Sequence, residues 1–192
     1  MDNKIDYAFV TGREDTKFQG YVPKVNNKPH ENSGVTIGTG FDLKDKTPEF
    51  LEQIGLEPEV VETLKRYLGL SGSKAQSFLD TAPLKLDSGT IMDIDKKAKA
   101  YYTANIAGQY EKATGYEKKF YDLSPAQQTV IYSVGFQYGS LNRTPKFLNY
   151  AVEGNWQGMY DELMDFKDLY PTRRKAEAEL LLKELNNPQN IK

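Results

Sequence analysis

At 192 residues, with 25 basic and 27 acidic side chains and a net charge of −2, the chain is long enough to bury a core in one domain. It lacks the cationic field that polyanion binders use, which argues against nucleic acid as a partner. There is no cysteine and one histidine, His30, which excludes disulfides and thiol zinc sites and removes most other metal and triad chemistry. No metal or cofactor is expected, and carboxylates are left to carry any catalysis.

Ile5, Phe9 and Val10 have partial helical spacing ahead of Gly12, which predicts an opening helix that delivers Glu14 near its C-terminal end. The β-favouring runs Gly20 to Val25 and Gly34 to Ile37 flank the polar stretch Asn26 to Asn32 and read as a hairpin. Glu14 and Asp42 then lie at opposite ends of a returning ribbon, and His30 reads as a solvated loop residue. Thr47-Pro48 and Ser71 are helix starts, and Val60, Val61, Leu64 and Leu68 share one apolar face. Ile94, Ala98, Tyr102, Ile106 and Tyr110 recur every fourth residue and predict a long helix from about Asp93 to Ala113.

Ser124-Pro125-Ala126-Gln127 carries an N-cap, a proline in the first turn and a capping-box partner. Thr144-Pro145 opens another helix, and Ala178, Leu181, Leu182 and Leu185 stripe the last. The fold class is α+β, mostly helical. Residues 1–192 read as a single domain, with a sheet-bearing lobe over about 1–80 and a helical lobe over 81–192, joined through Leu79 to Thr90. Substrate clefts tend to lie between such lobes.

No apolar run is long enough to cross a bilayer, and Met1 to Asp6 lack the apolar stretch of a signal peptide. The chain is therefore read as made in the cytoplasm, without membrane insertion, and as a monomer.

Chemistry concentrates in Ser33-Gly34-Val35-Thr36-Ile37-Gly38-Thr39-Gly40-Phe41-Asp42, where a hydroxyl and a carboxylate sit on a short glycine-punctuated segment downstream of Glu14. Two carboxylates and a hydroxyl are the minimum kit for protonating an acetal oxygen on one face and managing a water on the other. Asp42 also suits the bland role of a turn cap, and Thr36 that of a β-branched strand residue. Asp15 is a further candidate for the second carboxylate. Gly38 and Gly40 allow positive φ and close approach of a ligand, or mark a plain turn.

Gly34-Val35-Thr36-Ile37-Gly38-Thr39-Gly40 with an upstream Glu resembles the catalytic segment of the bacteriophage-type lysozymes, glycoside hydrolase family 24, whose usual form is Glu, a hairpin Asp, then Thr-x-Gly-x-Gly-His. Phe41 stands where that pattern has His, and Gly20-Tyr21-Val22-Pro23-Lys24 holds no Asp. The Asp comes instead at Asp42, which is similar to the lysozyme-like domain of the pesticin type, with Glu, Thr and Asp in that order. Leu123 to Gln128 followed by Ser133 to Gly139 resembles the family's central helix, with Gln137 in place of Asn. Gly154-Asn155-Trp156 and Arg173-Arg174-Lys175-Ala176-Glu177 resemble later family segments, so ordered matches run from Glu14 to about Leu182.

The resemblance implies a lysozyme-like fold and a peptidoglycan muramidase that cuts the β-1,4 bond between N-acetylmuramic acid and N-acetylglucosamine. Glu14 is then the general acid, its pKa raised by partial burial or a negative neighbour, with Arg13 and Lys17 turned away. Asp42 stays ionised and, with Thr36, orients the water, in an inverting reaction. Tyr21, Phe41, Phe136, Gln137 and Tyr138 are candidates for lining the sugar cleft, although Phe136 and Trp156 suit the core better. Arg173, Arg174 and Glu177 read as ion pairs that fix the last helix.

The implied settings are a phage endolysin, a bacteriocin killing domain or a secreted antibacterial effector. Each acts in the periplasm or cell wall after holin release or secretion-system delivery. In the last two an immunity or inhibitor protein is expected alongside peptidoglycan as partner. The alternatives are a wall-binding module without catalysis and a chitin or chitosan hydrolase.

Overall fold

The computed structural model describes residues 2–12 and 17–186. Its elements in chain order are α1 (Tyr7–Val10), β1 (Lys17–Tyr21), β2 (Lys24–Val25), β3 (Lys28–Pro29), β4 (Thr36–Gly38), β5 (Phe41–Asp42), α2 (Pro48–Gln53), α3 (Pro58–Lys65), α4 (Gly72–Thr81), α5 (Ser88–Ala113), α6 (Pro125–Tyr138), α7 (Pro145–Glu153), α8 (Trp156–Met164) and α9 (Pro171–Leu185). This is the mostly helical α+β fold expected, with its antiparallel strands near the N-terminus. The chain forms two compact units, Met1–Gly12 with Tyr102–Lys192, and Arg13–Tyr101.

In the Arg13–Tyr101 unit the sheet order is β1-β4-β5, all antiparallel. The returning ribbon is present, with an addition the sequence reading lacked: β2 and β3 form their own two-stranded hairpin. Asn26 and Asn27 turn it with φ of 52° and 62°, the left-handed pair that a tight two-residue turn needs and that Asn tolerates. His30 is half-buried rather than solvated, its Nδ1 3.0 Å from Ser33 Oγ. The β4 residues are buried on both faces, and Val35, Ile37, Leu43, Leu51, Leu64, Leu84, Ile91 and Ile94 make the apolar core.

The long helix begins at Ser88, five residues before the Asp93 start read from the periodicity. Asp87 takes the Thr90 amide at 3.0 Å and the Thr90 hydroxyl at 2.5 Å, a cap that the apolar stripe does not reveal. The stretch between α4 and α5 is correspondingly short and belongs to the sheet-bearing unit. Leu84 O accepts from Gly20 N at 2.8 Å, and Lys85 bridges Gln19. The division between units falls inside α5, between Tyr101 and Tyr102.

In the other unit α6 is buried nearly all round, from Gln128 through Gly135, as a central helix must be. Its capping box forms as the sequence indicates, with Gln127 N donating to Ser124 Oγ at 3.2 Å and Ser124 N to Gln127 Oε1 at 3.0 Å. Gly139 ends it with φ of 73°. Residues 2–12 lie against this helix, where Lys4 N donates to Gln128 Oε1 at 3.0 Å and Asp6 N to Thr129 Oγ1 at 2.9 Å.

Two expectations for this unit are corrected. The opening helix is a single turn closed by Thr11 and by Gly12 at φ 69°, so it does not reach Glu14, which lies outside the described residues. Phe136 is not a core residue: it is 38% exposed and stacks on Tyr132 at 5.7 Å, with Tyr102 edge-on at 5.2 Å. The buried run of α6 ends at Gly135, so Phe136, one turn after Tyr132, falls where the helix emerges from its packing. Trp156 is half-buried against the core.

Candidate active site

Strand register assembles three of the sequence candidates. Tyr21 on β1 pairs with Thr36 on β4, and Thr36 pairs with Asp42 on β5. Directly opposed residues share a sheet face with Cβ atoms about 4.5–5.5 Å apart, so Tyr21, Thr36 and Asp42 stand abreast across three strands. At the other end of β4, Lys17 pairs with Gly38. The 5 residues Lys17–Tyr21 of β1 run opposite the 3 residues Thr36–Gly38 of β4, a register shift that bends the strand.

The Asp42 carboxylate is held by the backbone. Both its oxygens accept from Gly34 N, at 3.1 and 3.0 Å, and Oδ1 accepts from Lys44 N at 2.8 Å. These are the bonds of a turn-capping Asp, yet the group is only half-buried and keeps acceptor capacity, since a carboxylate offers about four lone-pair sites. Thr36 is 3% exposed, and its hydroxyl donates to Gly34 O at 3.2 Å. That leaves the Thr36 oxygen as an acceptor with its lone pairs unspent. One residue, Gly34, thus orients both groups.

Two residues on, the glycines of the motif differ in role. Gly38, at φ +61°, is buried, and a Cβ there would fall 2.3 Å from Asp95 Oδ1. Gly40, at φ +106°, is exposed with open space around the missing Cβ; only its backbone conformation demands glycine. The ring of Phe41 is 7% exposed and lies in the core, with Lys46 Nζ 5.9 Å from its centroid. It is therefore no open platform for a sugar. Tyr21 remains half-buried on the strand.

Gln137 and Tyr138 belong to the other unit, on α6. Tyr138 is engaged there: its hydroxyl donates to Asp168 Oδ2 at 2.8 Å, and burial followed by that bond pushes its pKa up to about 12. Behind it Arg174, 2% exposed, contacts Asp168 at 3.3 Å and Glu177 at 2.8 Å. Ser133 Oγ donates to Glu177 at 2.5 Å, and Arg173 reaches both. Burial pushes the Glu177 carboxyl up from its ordinary value, against the pull of Arg174. The ion-pair reading of Arg173, Arg174 and Glu177 holds, and the near-total burial of Arg174 and Glu177 goes beyond the exposed helix pairs that the spacing implied.

Asp95 is the residue that sequence reasoning missed. It sits beside the Ile94–Ala98 apolar stripe of α5, and its position next to that stripe was the available signal. Glu14 and Asp15 lie outside the described residues. Among the described residues no group of three or more His, Asp or Glu side chains could hold a metal ion, and no helix is long and apolar enough to cross a membrane. A groove of about 1000 Å³ in the same unit runs along Glu59, Glu62, Arg66, Tyr67 and Lys85, and it contains none of the motif residues.

A comparison with curated proteins finds no match. Among protein families, the model described as "Pesticin: Bacterial toxin homologue of phage lysozyme, C-term" matches residues 4–157, a span that holds Glu14, the Thr36 to Asp42 segment and α6 but stops short of Arg173 to Glu177.

Proposed function

The chain belongs to the pesticin family of bacterial toxin homologues of phage lysozyme, with its lysozyme-like α+β fold, and from that premise we propose that it is a peptidoglycan muramidase. The bond it cuts is the β-1,4 link between N-acetylmuramic acid and N-acetylglucosamine. Glu14 gives its proton to the departing N-acetylglucosamine oxygen. A water adds to the anomeric carbon from the opposite face, losing its proton to the Asp42 carboxylate while the Thr36 oxygen accepts its other hydrogen bond. Asp42 and Glu14 then return to their starting states by proton exchange with solvent. Water between two carboxyls requires a separation of roughly 6.5–9.5 Å and inverts the anomeric centre.

The observation that carries this reading is the alignment of Thr36 with Asp42 on neighbouring strands within the matched region. Glu14 is assigned from the sequence; it precedes by three residues Lys17, the partner of Gly38 in the ladder. The protein works on bacterial wall, as a toxin or lysis enzyme, and as a toxin it has an immunity partner in the producing cell.

A second reading, a wall-binding module without catalysis, is favoured by the backbone clamp on Asp42, which needs no reaction to explain it. Turbidity of permeabilised Gram-negative cells separates the two. Clearing by the wild type and none by folded Glu14→Gln establishes the hydrolase; binding without clearing establishes the module. Mass spectrometry of digested peptidoglycan identifies the bond, since reducing muramic acid ends mark a muramidase. Oligomers released from chitin would instead mark a chitinase.

A further inference from the structure

We infer that Asp95 is a positioning residue of the proposed reaction, holding the β4–β5 turn so that Thr36 and Asp42 stay in register. The inference rests on the hydrolase reading above. Asp95 lies in the second turn of α5 and is 8% exposed. Both its oxygens accept from one backbone amide, Thr39 N, at 3.2 and 3.1 Å. Thr39 is the residue midway between Thr36 and Asp42 in sequence, so fixing its peptide fixes both arms of the turn together.

A carboxylate taken out of water is stable only where donors meet it. Here the donor is a peptide group at the apex of a turn whose other short bond, Gly40 N to Ile37 O, is 3.3 Å long. The second half of the device is Gly38. Its missing Cβ leaves the space that the Asp95 carboxyl fills, with Oδ1 2.3 Å and Cγ 2.8 Å from where that Cβ would be. The Thr-x-Gly-x-Gly segment thus has a glycine shaped to a helix side chain that lies 56 residues beyond Thr39, and that helix buries Ile91 and Ile94 in the apolar core. Misplacement of reacting groups by about 1 Å costs on the order of 100-fold in rate, which is the scale on which such an anchor acts.

The test uses the full chain, soluble peptidoglycan oligomers and three readouts: kcat, KM and hydrogen exchange at the Thr39 amide. Asp95→Ala is expected to lower kcat about 10- to 100-fold with KM within about threefold, and to speed Thr39 exchange at least tenfold. Asp95→Asn, whose amide oxygen still accepts from Thr39 N, is expected to restore kcat to within a few fold of wild type. Gly38→Ala pushes a methyl into the carboxyl, and combining it with Asp95→Ala is expected to give a kcat loss smaller than the product of the single losses.

The inference falls if Asp95→Ala leaves Thr39 exchange or kcat unchanged, if Asp95→Asn fails to rescue while melting like wild type, or if the Gly38 and Asp95 losses multiply. Should Asp95→Ala not fold, the Asn rescue and the Gly38→Ala effect still decide it. A wild type that cleaves nothing overturns the hydrolase reading itself, and with it the positioning role, even where exchange shows that the turn is anchored; an active wild type that loses activity in Asp42→Asn but keeps it in Asp95→Ala upholds the hydrolase reading and overturns the positioning role alone.

Discussion

Gly34 and Asp42 are in contact so close that any side chain at position 34 must displace a neighbour: a Cβ there would lie 2.6 Å from Asp42 Oδ1, 2.8 Å from Leu70 O and 2.8 Å from Lys44 Cβ. Two of those neighbours are backbone or the base of a side chain and cannot swing away. Gly34→Ala is therefore expected to destabilise the fold by about 1–3 kcal/mol and to lower activity further than its thermal melting loss explains, because the displaced group is the Asp42 carboxylate. Melting temperature and lytic rate measured on the same preparation check both parts.

Thr36 donates its only hydroxyl hydrogen to Gly34 O and has acceptor capacity left. Thr36→Ser retains the oxygen and is expected to keep most of the activity. Thr36→Val keeps shape and branching but leaves Gly34 O without this donor, at roughly 1–2 kcal/mol of stability, and is expected to lose at least tenfold in kcat. Equal activity in the two variants at matched folding would remove the hydroxyl from the reaction.

Arg174 stands between Glu177 and Asp168 with almost no exposure. Arg174→Met removes the cation that Asp168 and Glu177 share and leaves the buried Glu177 carboxyl with Arg173 alone, and about 3–5 kcal/mol of stability is expected to go with it, read by denaturant unfolding.

The same cluster gives the fold a pH signature. The folded chain holds the Glu177 proton more tightly than the unfolded chain does. Its contribution is therefore whole below the ordinary carboxyl value of 4.5 and is lost as pH rises through the higher folded value. Unfolding free energies of wild type and Glu177→Gln, measured between acid and neutral pH, are expected to show wild type losing ground to the variant as pH rises. A constant difference would show that Glu177 titrates alike in both states.

Gln128 is a fully buried amide with three bonds, accepting from Lys4 N and donating to Tyr121 O and Leu123 O at 3.2 and 3.0 Å. Gln128→Leu is expected to cost about 2–4 kcal/mol by removing these three bonds, although Leu123 O keeps Lys4 Nζ at 3.3 Å, with the N-terminal residues becoming the first site of limited proteolysis.

How much of this was legible in the sequence depends on the distance between the partners. The capping box at Ser124 and Gln127 and the proline starts of α2 and α7 rest on residues within a few positions of one another, the returning ribbon on two β-favouring runs either side of one polar loop, and all are present. Thr36 and Asp42 are close enough along the chain for the glycine turn to bring them opposite. The Asn26–Asn27 turn was visible as a polar loop, but polarity does not fix φ. The start of α5 was set late because an Asp87 cap carries no apolar period.

Farther apart, the sequence is silent: nothing near Thr39 announces that Asp95 will meet it. Phe136 shows the converse failure. Aromatic residues in apolar helices usually face inward, yet on a helix packed on nearly every side the next large ring is left at the surface.

The docking of residues 2–12 on α6 makes one unit discontinuous in sequence, while the other is the unbroken stretch Arg13–Tyr101. On the ribosome, Lys4 and Asp6 emerge long before their acceptors Gln128 and Thr129, which follow 124 and 123 positions later. At synthesis rates of roughly 5–20 residues per second, that delay lasts roughly 6–25 s. The sheet-bearing half, with its Thr36 and Asp42, is fully synthesised within that wait, so birth order lets the strands register before the helical half is sealed.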